Sequence, residues 1–194
     1  MNARLTLHTP QVAAIDGLRP ERAPALVQVL GIVGFTLLTV LGAKVSLYLW
    51  EVPITLQTLA VYASGLYLGS RNGFLAQLLY LTLGLFFPVF AGETFGPAYL
   101  LTAGTAGYLL AYPLVALLVG WLSQRWNTLT GSVLCLVLGS LLLFTMGVAG
   151  LHFITGMPWA EALDKGWLRF IPFDLAKLLF VGLLYTGTRH IALR

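Results

Sequence analysis

The sequence predicts an all-α integral membrane protein: a bundle of six transmembrane helices with a re-entrant or lid-like loop between the third and fourth. Three observations carry that prediction. The chain of 194 residues is 58% hydrophobic and only 9% charged, against about 25% charged in soluble domains. Its apolar residues fall into long runs parted by short polar turns. All five tryptophans (Trp50, Trp121, Trp126, Trp159 and Trp167) fall at the ends of those runs, as an aromatic belt at two membrane interfaces requires.

The elements follow in order. Residues 1–24 are polar, with Arg4, Asp16, Arg19, Glu21 and Arg22. They read as a cytoplasmic tail, disordered up to Pro20, because the apolar run behind them is too long for a signal-peptide core. Residues 25–194 read as one transmembrane substrate-binding domain. The first helix is expected from Ala25 to Leu49. It holds the pair Thr39 and Ala43, a small-xxx-small spacing that lets another helix approach closely. That helix belongs either to the same bundle or to a partner subunit. Lys44, near the end of this helix, either snorkels to the headgroups or faces a pocket.

After an outer turn at Trp50–Pro53 comes a helix to Leu68. At 1.5 Å per residue it is roughly 24 Å long, short of the ~30 Å hydrocarbon core. Gly69-Ser70-Arg71-Asn72-Gly73 reads as a turn. The next helix, Phe74 to Phe87, is also short and is stopped by Pro88. Short tandem helices are a pointer to a binding site. Thr55 and Gln57 stand at the mouth of that space. An amide both donates and accepts hydrogen bonds, which suits a urea or amide ligand, and the alternative for Gln57 is a helix-capping contact.

The stretch 88–103 is rich in proline and glycine yet largely apolar. Irregular backbone survives at membrane depth only when protein buries it or a cavity adjoins it. It is expected to cover the site, with Glu93 near its tip, or to lie in the interface held by Phe90, Phe95 and Tyr99. A fourth helix opens at Gly104-Thr105-Ala106-Gly107-Tyr108 and runs to about Gln124, with Pro113 as a candidate kink. The fifth spans about Leu129 to Ile154, with Gly131, Gly139, Gly147 and Gly150 as packing positions. His152 near its end reads as an interfacial side chain. Residues 157–165 suggest a short amphipathic helix.

The last run, Phe170 to Leu193, is long enough to span a bilayer yet carries Asp174 and Lys177. Three residues apart on a helix, these side chains share a face and can touch. A charge at the centre of a membrane helix costs roughly 2.5–3.5 kcal/mol, so such groups usually face a cavity or a partner. The plainer alternative places Asp174 in a first turn begun by Pro172, where the helix dipole favours an anion, with Lys177 pairing or snorkelling.

Charge sets the expected orientation. Arg4, Arg19, Arg22, Arg71, Arg125, Arg189 and Arg194 fall on one side, while Glu51, Glu93, Glu161 and Asp164 fall on the other with Lys165 and Arg169. The positive-inside rule then puts both termini in the cytoplasm of a multi-pass cell-membrane protein. The net charge of +4 comes from scattered basic residues and is no nucleic-acid signal. The single Cys135 excludes a disulfide framework and a thiolate metal cluster. There is no phosphate-binding loop, no nucleophile elbow and no His-Glu-x-x-His, so no catalytic residue and no metal site is assigned. A chain that moves a solute uphill without an ATP site needs an energised partner or an ion gradient.

These segments also resemble a known family. Val52-Pro53-Ile54-Thr55-Leu56-Gln57-Thr58-Leu59-Ala60, Leu79-Tyr80-Leu81 with Leu83-Gly84-Leu85, Pro88-Val89-Phe90-Ala91-Gly92, Gly107-Tyr108-Leu109 and Pro172-Phe173-Asp174-Leu175-Ala176-Lys177 are similar to the motifs of BioY proteins, the biotin-binding S components of energy-coupling factor (ECF) transporters. The resemblance runs from about Thr39 to Leu184. It implies six membrane helices with the vitamin near the extracellular side. It implies that Asp174 and Lys177 contact the biotin ring system, joined by Gln57 and Tyr108, with the loop after the third helix covering the ligand. Biotin would be the transported ligand and not a cofactor. It also implies a transmembrane coupling protein and ABC-type ATPase subunits as partners. The expected substrate-binding set is therefore Asp174, Lys177, Gln57, Tyr108, Thr55 and Glu93, with Thr39 and Ala43 as partner-docking positions. Three departures stand out: Thr39 replaces a usual alanine, the 92–96 segment is poorer in glycine, and Phe173 stands where glycine is common. The competing readings are an S component for another vitamin and a small membrane enzyme with Asp174 as base.

Overall fold

A computed structural model describes residues 18–20, 23–49, 52–92, 94–126 and 128–191. Helix α1 (Ala25–Lys44) ends before the expected Leu49. A two-residue strand pair takes over, β1 (Ser46–Leu47) against β2 (Ile54–Thr55), antiparallel with Ser46 opposite Thr55. The reason lies in the helix end. The backbone N–H of Leu56 donates to the carbonyls of Gly42 (3.1 Å) and Val45 (3.3 Å), so the returning chain satisfies acceptors that the finished helix leaves open.

Helix α2 (Gln57–Gly84) is a hairpin. Its one non-helical residue is Gly69, at φ 75° and ψ −178°, a region open in practice to glycine alone. The turn expected over 69–73 is thus made by a single residue. The arms 57–68 and 70–84 run back along each other, and Gln77 Nε2 donates to Ser64 Oγ at 3.2 Å across them. Beyond Leu85 the described residues are irregular until the short α3 (Pro97–Thr102), which begins on a proline. Helix α4 (Ala106–Ser123) runs on through Pro113.

Helix α5 (Leu129–Thr155) starts where the Thr128 side chain accepts from Gly131 N at 3.1 Å and stops at the left-handed Gly156. The amphipathic α6 (Trp159–Gly166) holds an ion pair between Lys165 and Glu161 at 2.8 Å. A 3-10 turn (Leu168–Phe170) leads into α7 (Ile171–Ile191). Counting the α2 arms separately, six long helical segments form the bundle, as the sequence predicts.

α2 packs on α1 and α4, α4 packs on α5, and α7 closes against α5 and α2. α4 and α5 meet backbone to backbone: a Cβ on Gly107 would lie 2.9 Å from Gly150 Cα. Leucines 26, 30, 37 and 41 of α1, Leu134, Leu138 and Leu141 of α5, and Leu179, Phe180 and Leu183 of α7 point outward. Such a surface belongs in lipid. α1, α4 and α5 are each long and apolar enough to cross a membrane. Each α2 arm is short, and α7 carries Asp174 and Lys177.

Arg19 does not belong to a free tail. It is buried, and its Nη2 donates to Leu66 O (2.9 Å), Ser123 Oγ (3.0 Å) and the Tyr185 hydroxyl (3.0 Å). Arg19 therefore ties the chain ahead of α1 to the end of the bundle where the α2 bend meets the ends of α4 and α7. Thr39 and Ala43 are also buried within the chain. Thr39 Oγ1 bonds Phe35 O at 2.8 Å and meets the Gln77 amide at 3.2–3.3 Å. The helix that Thr39 meets is the second arm of α2, within the same bundle.

Candidate functional site

At the end of the bundle opposite Arg19 lies a partly open, mostly apolar cavity. Its walls come from residues 52–58, the irregular segment around Phe90 and Ala91, Tyr99, and the facing sides of α4, α5 and α7. The short helices leave this space, since the first arm of α2 starts only at Gln57 and α7 begins at Ile171, with Asp174 of its first turn in the cavity wall.

Asp174 is buried, in the first turn of α7. Its Oδ1 accepts from the Tyr62 hydroxyl at 3.0 Å and its Oδ2 accepts from Ser140 Oγ in a short contact. Two helices thus fix one carboxylate, and each oxygen keeps a further lone pair. Lys177 does not pair with Asp174, although the spacing allowed it. One turn further along α7, its Nζ donates to Thr55 O (2.8 Å) and Thr58 Oγ1 (3.0 Å). An ammonium carries three hydrogens, so one donor remains. Acid and amine stand side by side on the cavity wall, each held from behind by another element.

Gln57 is turned inward, and its side chain makes no capping contact. Its Oε1 accepts from Thr55 Oγ1 (3.0 Å) and the Tyr112 hydroxyl (3.2 Å), and its Nε2 donates to the Tyr80 hydroxyl. Thr55 therefore serves the site twice, through its carbonyl to Lys177 and its hydroxyl to Gln57. Tyr108 lines the cavity with its ring, but its hydroxyl donates to Gly166 O at 2.6 Å and so binds α4 to α6. Glu93 lies outside the described residues.

Aromatic rings supply the rest of the wall. Phe90 is fully buried, stacked on Tyr99 at 5.5 Å and edge-on to Tyr80 at 5.6 Å. Phe144 stacks on Trp167 at 5.8 Å. Of the residues expected to hold the 88–103 stretch in the interface, Phe90 and Tyr99 face the cavity and Phe95 is exposed. His152 stacks on Trp159 at 3.9 Å, with Nδ1 2.6 Å from Met157 O, and no metal-ligand cluster is found among the described residues.

Sequence reasoning missed Tyr62, Ser140, Thr58, Tyr80 and Tyr112. Ser140 carried a signal, a hydroxyl at the centre of a long apolar run. The tyrosines carried none, because hydroxyl-to-partner pairing across helices depends on packing. The assembled site offers an acceptor at Asp174 and a donor at Lys177 beside apolar walls, which suits a small guest with a compact polar head.

The family model described as BioY family matches residues 16–194. Similar proteins include the biotin transporter BioY2 of Lactococcus lactis subsp. cremoris, 39% identical over 133 residues, 67% of this chain and 72% of that one. The biotin transporter BioY of Thermotoga maritima is 35% identical over 151 residues, 77% of this chain and 88% of that one. The crystal structure of the S-component for biotin from an ECF-type ABC transporter has the same fold, with a TM-score of 0.77, 21% identity, and coverage of 87% of this chain and 96% of that one.

Proposed function

The chain belongs to the BioY family, and we propose that it is the substrate-specific membrane subunit of a biotin uptake system. It is a transport component and not an enzyme. The observation that carries the reading is the placement of Asp174 and Lys177 side by side on one wall of an apolar cavity, each with spare hydrogen-bonding capacity. Biotin's ureido ring presents two N–H donors and one carbonyl acceptor. Asp174 accepts from a ureido N–H, and the remaining hydrogen of Lys177 reaches the ureido oxygen. Gln57 and Thr55 set the position of Lys177 and the adjoining wall. The ring of Tyr108, with Phe90 and Phe144, takes the thioether ring and the aliphatic chain. Biotin is cargo here and not a cofactor.

The cavity end faces outward and both termini lie in the cytoplasm, by the distribution of arginines. Uphill movement then draws on a transmembrane coupling protein with paired ABC-type ATPases, since this chain has no nucleotide-binding motif. The outward apolar face of α1 is one surface open to such a partner.

A titration of purified protein with radiolabelled biotin tests the function. Saturable one-site binding that excess riboflavin or thiamine leaves in place is the expected result. Displacement by either vitamin moves the assignment to a different S component, and absence of saturable biotin binding removes it.

A further inference from the structure

Lys44 ends α1 and does not snorkel away from the bundle. Its Nζ donates to three carbonyls of the irregular segment: Pro88 O at 2.6 Å, Phe90 O at 3.3 Å and Gly92 O at 2.6 Å. The acceptors alternate along the chain, so one side of the stretch 88–92 is gathered on a single ammonium. This backbone lies in no helix or sheet, and carbonyls without partners are costly where water is scarce. Between and beside those carbonyls, the Phe90 ring is fully buried and Ala91 lines the cavity. Among the described residues, the segment's other side-chain ties are local or longer, such as Thr94 Oγ1 to Ala91 O at 2.9 Å and the Tyr80 hydroxyl to Val89 O at 3.4 Å.

We propose that Lys44 is a positioning residue: its ammonium pins the 88–92 segment across the cavity and so sets how fast a bound guest escapes. It does this from α1, one of the helices with an exposed apolar face. The segment over the guest is thereby joined to the end of α1. The role in guest release rests on the biotin-binding reading above, while the pinning itself does not.

The test is Lys44→Met, which keeps the stem and removes the donors. Amide hydrogen exchange of residues 85–100, read by mass spectrometry on purified protein in lipid nanodiscs, is expected to quicken roughly tenfold, with the α2 and α4 amides unchanged. Release of radiolabelled biotin is expected to quicken by a similar factor, with a smaller change in the association rate. Unchanged exchange in 85–100 overturns the proposal. Exchange that rises throughout the bundle also overturns it, because Lys44 would then serve general stability. Faster local exchange with unchanged release overturns the link to the guest. Wild-type protein that binds no biotin, yet shows local quickening in Lys44→Met, supports the pinning and removes the biotin reading instead.

Discussion

Tyr62 donates a 3.0 Å hydrogen bond to Asp174 Oδ1 across 112 positions of sequence. With Ser140 on the other oxygen, the bond fixes the carboxylate against α2 and α5 at once. This buried acid is held from two directions, and it lines the cavity wall.

Asp174→Asn replaces half of the acceptor with a donor, facing both its supporting hydroxyls and the guest. Biotin affinity is expected to fall roughly tenfold to a hundredfold, the range for losing a hydrogen bond to a charged group. Tyr62→Phe leaves the acid in place but loosens it, and the expected loss is smaller. Equilibrium titration of the two variants checks the order. A larger loss in Tyr62→Phe would show that the acid is support and the tyrosine the contact.

Lys177→Met strips the donors from Thr55 O and Thr58 Oγ1 together with the one offered to the guest. A loss of roughly tenfold or more in affinity is expected. Thr58→Val removes only one of the supports and is expected to cost less than about threefold. If the two variants bind alike, Lys177 acts solely through the backbone it holds.

Arg19→Met removes the donor shared by Leu66 O, Ser123 Oγ and the Tyr185 hydroxyl. Ser123 Oγ keeps its own bond to Gly120 O at 2.9 Å, but the other two acceptors lose this partner. The expected stability loss is about 1–2 kcal/mol, reduced by the relief of a desolvated charge. Thermal unfolding in detergent measures it, and biotin affinity at the other end of the bundle should stay level. Unchanged melting would place Arg19 outside the folded unit.

Gly150→Val forces a side chain against the Gly107 backbone, where even a Cβ would come within 2.7 Å. Overpacking of this kind costs about 1–3 kcal/mol, and more where backbone cannot yield. Gly34→Ala meets nothing within 4 Å and gains helix propensity, so it is expected to be neutral or slightly stabilising. Melting temperatures of the pair should move in opposite senses or diverge by several degrees.

Much of the cavity lining could be read in advance because membrane solvation is severe. An acid and an amine inside an apolar run, a glutamine beside a proline at a short helix and an apolar loop full of turn residues all break a local rule. Asp174, Lys177, Gln57, Thr55 and Tyr108 do line one cavity. Their partners were not legible. Asp174 and Lys177 share a helical face, yet each bonds across to a different segment, because Thr55 and Thr58 come within reach of the amine while Tyr62 and Ser140 reach the acid. The small pair Thr39 and Ala43 announced a close helix contact but not with which helix.

The amino-acid sequence by itself determined the membrane bundle, its helices, the polar pair in the last of them and the family. Hydrophobicity and turn chemistry act locally, so they are written along the chain. Tertiary structure alone decided that Arg19 is interior, that Gly69 makes the whole hairpin bend and that Lys44 holds the segment over the cavity. Each of these depends on which groups face one another across helices, and a hydrogen bond between distant residues leaves no periodic mark in either stretch.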